Sequence, residues 1–190
     1  MKPDEIKLRL DFIREAERLK DVVRNSYTSQ GRRESTAEHT WRLCLMAMVF
    51  QDELRDLDFL KVLKICILHD LGEAIHGDVP AVAQAGMPDK GSRERVDLLQ
   101  LMSSLPPEVR AEFLALWDEY ENASSPEGRA VKALDKIETL IQHNQGRNAP
   151  DFDYAFNLTY GRKHTDGRDL FRQIRDAVDE ETRKRMTSGA

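Results

Sequence analysis

The run Leu60-Lys-Val-Leu-Lys-Ile-Cys-Ile-Leu-His69-Asp70-Leu-Gly-Glu73-Ala-Ile-His-Gly-Asp78-Val-Pro80 sets the terms for the whole chain. Leu60, Leu63, Ile67 and Leu71 recur at helical spacing, and Val62, Ile65, Cys66 and Leu68 widen that stripe until little of the helix is left to face water. Such a helix belongs in an interior, yet it ends on an adjacent imidazole and carboxylate. Buried groups of that kind must be paired or must bind a metal, because an unsatisfied polar group in a low-dielectric site is costly. Close behind come Glu73 and a Gly77-Asp78-Val79-Pro80 turn.

A chain of 190 residues, 40% hydrophobic and 33% charged, can bury a full core, and a single domain over residues 1–190 is expected. A net charge of −5 argues against a surface that coats polymeric nucleic acid, which needs clustered Lys and Arg, but leaves room for a small anionic substrate at a local basic patch. Cys44 and Cys66 lie in apolar helical runs without disulfide or metal spacing, so both read as buried reduced thiols. The charged N-terminus and the lack of a long apolar run predict a cytoplasmic protein with no membrane partner.

Along the chain, residues 4–24 read as an amphipathic helix carrying Ile6, Leu10, Ile13, Leu19, Val22 and Val23, with Arg24 at its end, and Asn25 to Gly31 as a loop. Ser35-Thr-Ala-Glu38 is a capping box that opens a helix to about Leu54, with Trp41, Leu45, Met48 and Val49 on its inner side and His39 near its start. Ala81–Gly91 is small and broken by Pro and Gly, a candidate rim or lid. Helices are expected over 92–102, 107–120, 126–144 (inner stripe Ala130, Leu134, Ile137 and Ile141, with Asp135 beside it) and 169–184. Residues 147–166 are aromatic and polar without clear period, and no run reads as a strand. The fold class is therefore all-α, six to eight helices.

Taken singly, these residues leave alternatives open. His69 and Asp70 can be a core histidine paired with its neighbour, His39 an ordinary first-turn residue, and Asp135, in Asp-Lys-Ile-Glu, a solvated surface charge. Glu38 has a sufficient role in the capping box. If His39, His69, Asp70 and Asp135 meet, the set suits a divalent cation with open positions better than a closed structural site.

In combination, His39, His69-Asp70 and Asp135 resemble the H…HD…D pattern of the HD-domain metal-dependent phosphohydrolase superfamily. Arg32 to His39, His69 to Glu73 with Gly77 to Pro80, and Leu134-Asp135-Lys-Ile-Glu138 are similar to its 5′-deoxynucleotidase branch. The resemblance spans roughly residues 17–145 and leaves 146–190 as a C-terminal helical extension. It implies an all-α HD-domain bundle and one divalent metal ion (Mn, Co, Fe, Ni or Zn) held by His39, His69, Asp70 and Asp135. It implies further that Glu73 orients or deprotonates the attacking water, that Asp78 protonates the leaving oxygen, and that Arg24 binds phosphate, with Arg32 or Arg33 as alternatives. Bacterial members carry a tryptophan after that arginine, where Asn25 stands here. Dinuclear relatives use two further histidines, whereas only His76 falls between the His-Asp pair and Asp135.

The expected activity is removal of the 5′-phosphate from deoxyribonucleoside 5′-monophosphates by metal-activated water, in a homodimer. The alternatives are a catalytically silent, nucleotide-binding sensor and a phosphohydrolase of a larger nucleotide, for which Arg32, Arg33 and Lys90 are the nearby cations.

Overall fold

The computed structural model describes residues 2–79 and 90–188. Pro80 and most of the expected rim, residues 81–89, lie outside them; the rim's last two residues, Lys90 and Gly91, open a helix instead. In chain order the elements are α1 (Pro3–Ala16), a tighter turn at Glu17–Lys20, β1 (Val23–Tyr27), β2 (Arg33–Ser35), α2 (Thr36–Val49), α3 (Phe59–Leu68) and α4 (Glu73–His76). There follow α5 (Lys90–Leu101), α6 (Pro107–Glu121), α7 (Pro126–Gln145), α8 (Tyr154–Asn157), α9 (Arg162–Thr165) and α10 (Asp169–Ser188). Among the described residues seven of these are helices of ten residues or more, as an all-α fold requires, and α4, α8 and α9 are single turns.

The bundle is built around α7. Ser125 caps it by accepting from the Gly128 amide at 2.9 Å, Pro126 starts it and Gly146 ends it. It packs against α2, α3, α6, α9, α10 and β1, which is why Leu134, Ile137 and Leu140 have no contact with water. Asp58 caps α3 in the same way, and the Ser35–Glu38 box caps α2, with Glu38 accepting from the Ser35 amide at 2.9 Å.

The first helix is shorter than its periodicity suggests. It stops at Ala16, exposes Ile6, Leu10 and Ile13, and seats Phe12 against Phe113. Arg24 and the expected loop after it form β1, paired antiparallel with β2 across a turn in which Gly31 takes a φ of 86°. A hairpin this short leaves little sequence signal, because its pairing is irregular and only Ser26 on β1 is buried.

The inner face of α2 is also not the one expected. Trp41 and Val49 are each 65% exposed and Leu45 and Met48 are exposed with them, whereas His39, Thr40, Leu43, Met46 and Ala47 face inward. On α3, Leu60 and Ile67 likewise face water while Val62, Ile65, Cys66 and Leu68 are buried. Apolar residues occupy both sides of these helices, so hydrophobic period alone does not select a face. The inward side is fixed by His39 and His69. Cys66 is buried and Cys44 only partly so.

The C-terminal helix is anchored by a buried guanidinium. Arg175, 1% exposed, donates to Asp179 at 2.7 Å and to the carbonyls of Asn157 and Tyr160 at 2.8 and 2.6 Å. Removing it leaves two carbonyls without that donor and Asp179 with only Arg162. Arg175→Leu should cost about 3 kcal/mol, read as a lower urea midpoint at unchanged slope.

Candidate metal centre and its cavity

Three helices deliver four polar side chains to one point. His39 comes from the first turn of α2, His69 and Asp70 from the end of α3, and Asp135 from the middle of α7. His39, His69 and Asp70 each offer a ligand atom within 4.8 Å of the others, and Asp135 Oδ1 lies 3.2 Å from His39 Nε2. Asp70 Oδ2 is 3.0 Å from His69 Nε2 and 3.7 Å from His39 Nε2. Asp135 is thus no surface charge; it is 3% exposed.

The two imidazoles are oriented from behind. His69 Nδ1 donates to the Cys66 carbonyl at 2.8 Å, and His39 Nδ1 is hydrogen-bonded to Glu138, which Arg42 holds in turn at 2.6 Å. Both Nε2 atoms are buried, face the carboxylates of Asp70 and Asp135, and make no hydrogen bond of good geometry. Buried nitrogens in that state are rare unless something binds them, and a back-bonded His is the usual form of a metal ligand. The donor set fits a divalent cation. Glu34, His39 and Glu138 make a second such grouping, but there Glu138 is already committed to His39 and Arg42.

The charges reflect this crowding. Burial and Arg24 oppose a proton on His39, but Glu138 and Asp135 outweigh them and raise its pKa to about 10. Burial pushes Asp70 and Asp135 up, yet the histidines, with Lys136 in the case of Asp135, hold both below the ordinary carboxylate range. Glu73, the first residue of α4 and 3% exposed, is pushed up to about 10 by burial and by Asp70 and Asp78. Thr36 Oγ1 donates to it at 3.2 Å and Lys90 Nζ lies at 3.8 Å. Gly77, at a φ of 85° that an L side chain resists, turns the chain back so that Asp78 hydrogen-bonds Glu73. Burial, joined by Asp70 and opposed by Arg24, raises Asp78 as well.

Arg24 reaches the centre from β1. It donates to Asp70 at 3.3 Å and to the Thr139 hydroxyl at 3.0 Å, and the carboxylates of Asp70, Glu138, Asp78 and Asp135 keep it charged despite its burial. Arg32 and Arg33 are turned away: Arg32 pairs with Glu38 on the surface and Arg33 donates to the Arg24 carbonyl. Glu38, held at about 2 chiefly by Arg32, stays out of the site.

A cavity of about 820 Å³ opens from these groups. Arg24, His69, Asp70, Glu73, Asp78 and Asp135 line one part of it, and Lys132, Lys136, Thr139 and His143 extend the α7 side. The far wall is residues 149–164, the stretch without periodicity. Sequence reasoning missed several supports. Tyr120 donates to Asp135 Oδ2 at 2.6 Å and lays its ring edge-on to His69, Lys136 reaches the same oxygen at 2.7 Å, and Trp117 donates to the His69 carbonyl. Nothing distinguishes Tyr120 and Trp117 from other residues of an amphipathic helix. Glu138 did carry a signal, one helical turn after Asp135 on the same helix.

The HD domain family model matches residues 16–175, most of the chain and every residue just described. The chain belongs to the HD domain family. Among its relatives, human 5′-deoxynucleotidase HDDC2 is 34% identical over 138 residues, 72% of this HD chain and 67% of the human one. The protein of the same name from Dictyostelium discoideum is 28% identical over 170 residues, 82% of this chain and 90% of its own. The crystal structure described as a predicted metal-dependent phosphohydrolase from Magnetospirillum magnetotacticum MS-1 superposes with a TM-score of 0.80 at 26% identity, covering 96% of this HD chain and 97% of that one. No helix among the described residues is long and apolar enough to cross a membrane.

Glu138 holds His39 from the side away from Asp70 and Asp135. Glu138→Gln should weaken Mn²⁺ or Zn²⁺ binding to chelator-stripped protein by about 10- to 100-fold in calorimetric titration, and unchanged affinity would mean that the His39 contact is only structural.

Proposed function

We propose that this chain, a metal-dependent phosphohydrolase, removes the 5′-phosphate from deoxyribonucleoside 5′-monophosphates, giving deoxynucleoside and inorganic phosphate. One observation carries the reading: the unpaired Nε2 atoms of His39 and His69 converge with Asp70 and Asp135, and His69, Asp70 and Asp135 line a cavity together with Arg24, Glu73 and Asp78, with His39 buried directly behind them. The names of the human and Dictyostelium relatives support the nucleotide and its deoxyribose.

A divalent cation on His39, His69, Asp70 and Asp135 supplies Lewis acidity to phosphoryl oxygen and acidifies water, and Mn²⁺, Co²⁺, Fe²⁺, Ni²⁺ and Zn²⁺ all suit that donor set. Arg24 clamps the phosphate with a charge already fixed by Asp70 and Thr139, so little side-chain freedom is lost on binding. Glu73 orients the attacking water and takes its proton. Asp78 returns a proton to the leaving 5′ oxygen. Glu73 and Asp78 are close and buried and share a proton that rests on Glu73 in the metal-free protein; with a cation bound, the ionised form of Glu73 is favoured and the proton is left to Asp78.

Lys132, Lys136 and Lys163 also line the cavity, which favours a larger, more highly phosphorylated nucleotide as the second reading. Phosphate release from 5′-deoxyribonucleotides and 5′-ribonucleotides, as mono-, di- and triphosphates, separates the two. With chelator-stripped protein reloaded with Mn²⁺, Co²⁺ or Zn²⁺, the deoxynucleoside monophosphates should be turned over and the ribonucleotides spared. Turnover of di- or triphosphates alone transfers the reading to the larger substrate, and silence with every metal overturns both. Glu73→Ala should lower kcat by at least about 100-fold while metal content stays near wild type.

We propose a homodimer as well. The neighbouring helices α2 and α3, in contact through Cys44 and Cys66, expose Trp41, Leu45 and Met48 and Leu60 and Ile67 respectively, apolar surface of the kind that two copies bury. Sedimentation equilibrium should return twice the chain mass, and Leu45→Lys should return the chain mass.

A further inference from the structure

The far wall of the cavity has a chemistry that phosphate does not need. Phe152, Phe156 and Tyr160 line it, each only partly buried. Phe156 and Tyr160 form a tilted pair, with centroids 5.4 Å apart and planes 31° from parallel, and Phe152 meets the His143 ring edge-on at 5.0 Å. Within this apolar surface sits one unmet polar group. Asn157 is fully buried and lines the cavity; its Oδ1 is taken by His143 Nδ1 at 2.9 Å, but its Nδ2 has no partner. Burial holds His143 neutral, so that with Nδ1 donating to Asn157, Nε2 is an acceptor. The wall thus offers flat π-faces with a spare donor and a spare acceptor at their edge.

Its distance from the ion centre is short. The Tyr160 ring lies 5.5 Å from Lys136 Nζ, and that nitrogen is 2.7 Å from Asp135 Oδ2. A phosphate bound beside Asp70 and Asp135 therefore has an aromatic surface within the reach of its own substituent. Hydrophobic burial alone would accept any apolar group, but a buried amide left half-satisfied is expensive unless the ligand completes it. A nucleobase satisfies both demands, being planar, aromatic and edged with acceptors and donors.

We infer that residues 152–160 are the nucleobase subsite: the base stacks on Phe156 and Tyr160 and accepts from Asn157 Nδ2. Stacking on rings tolerates every base, so this subsite distinguishes nucleotides from base-free sugar phosphates far more than it distinguishes one base from another. The inference rests on the nucleotide reading given above.

The test compares thymidine 5′-monophosphate with 2-deoxyribose 5-phosphate, which keeps the phosphate and sugar and lacks the base. In wild type the ratio of kcat/KM values favours the nucleotide. Phe156→Ala should lower that ratio by about 10-fold, chiefly through KM for the nucleotide, and Phe156→Trp should restore it. Asn157→Asp, which replaces the free donor by an acceptor, should lower the ratio as well. Equal losses on both substrates would show a merely structural role and overturn the inference, as would an unchanged ratio. The same comparison in equilibrium dialysis needs no turnover. Wild type that binds the nucleotide without releasing phosphate sinks the hydrolase reading and leaves the subsite to be judged on the affinity lost in Phe156→Ala. Wild type that hydrolyses the sugar phosphate but neither binds nor hydrolyses nucleotides sinks the subsite and the nucleotide reading together, and leaves a phosphomonoesterase.

Discussion

Charge removed from water is the constraint on which this structure turns. His39, Glu73, Asp135 and Glu138 are all at most 3% exposed, with Arg24, His69 and Asp70 beside them. Each would be prohibitive alone in a protein interior. They are tolerated because every one is answered by another: Arg24 by Asp70, Glu138 by His39 and Arg42, and Asp135 by Tyr120 and Lys136. The two imidazole Nε2 atoms and Arg24 Nε are exceptions, and the convergence of unmet nitrogens on one point is where chemistry is to be sought.

The bundle exists to hold that cluster still. α7 carries Asp135, Glu138, Thr139 and His143 along one side and Leu134, Ile137 and Leu140 on the side packed by its neighbours. A helix surrounded by α2, α3, α6 and α10 cannot rotate, so its polar side has fixed addresses. Thr139 shows how closely the parts are joined: it donates to the Asp135 carbonyl and accepts from Arg24, which links β1 to the middle of α7 through one hydroxyl.

How much of this is legible in the sequence follows from how local each feature is. Caps at Ser35, Asp58 and Ser125, and the long helices they open, are short-range signals and can be read directly. Which face of α2 turns inward is not local, since Trp41, Leu45 and Met48 satisfy the helical period as well as Leu43 and Met46 do. Arg24 could be picked out by its place in a motif but not by its structure, because β1 is too short and irregular to declare itself. The meeting of His39, His69, Asp70 and Asp135 was implied by resemblance alone, since no spacing rule links positions so far apart. Phe152, Phe156 and Tyr160 were visible as aromatic residues without a period. Their role depends on facing α7 across a cavity, and a sequence does not contain the cavity.

The ion centre rests on α2, α3 and α7, whereas the aromatic wall is braced by a different part of the chain. Arg175 of α10 grips the carbonyls of Asn157 and Tyr160 from behind, through backbone atoms that every residue type possesses. The side chains of that wall are consequently free to vary as long as the brace stays. A lineage carrying this scaffold can change which molecules it admits by exchanging the side chains of residues 152–160, while the reaction centre is inherited intact.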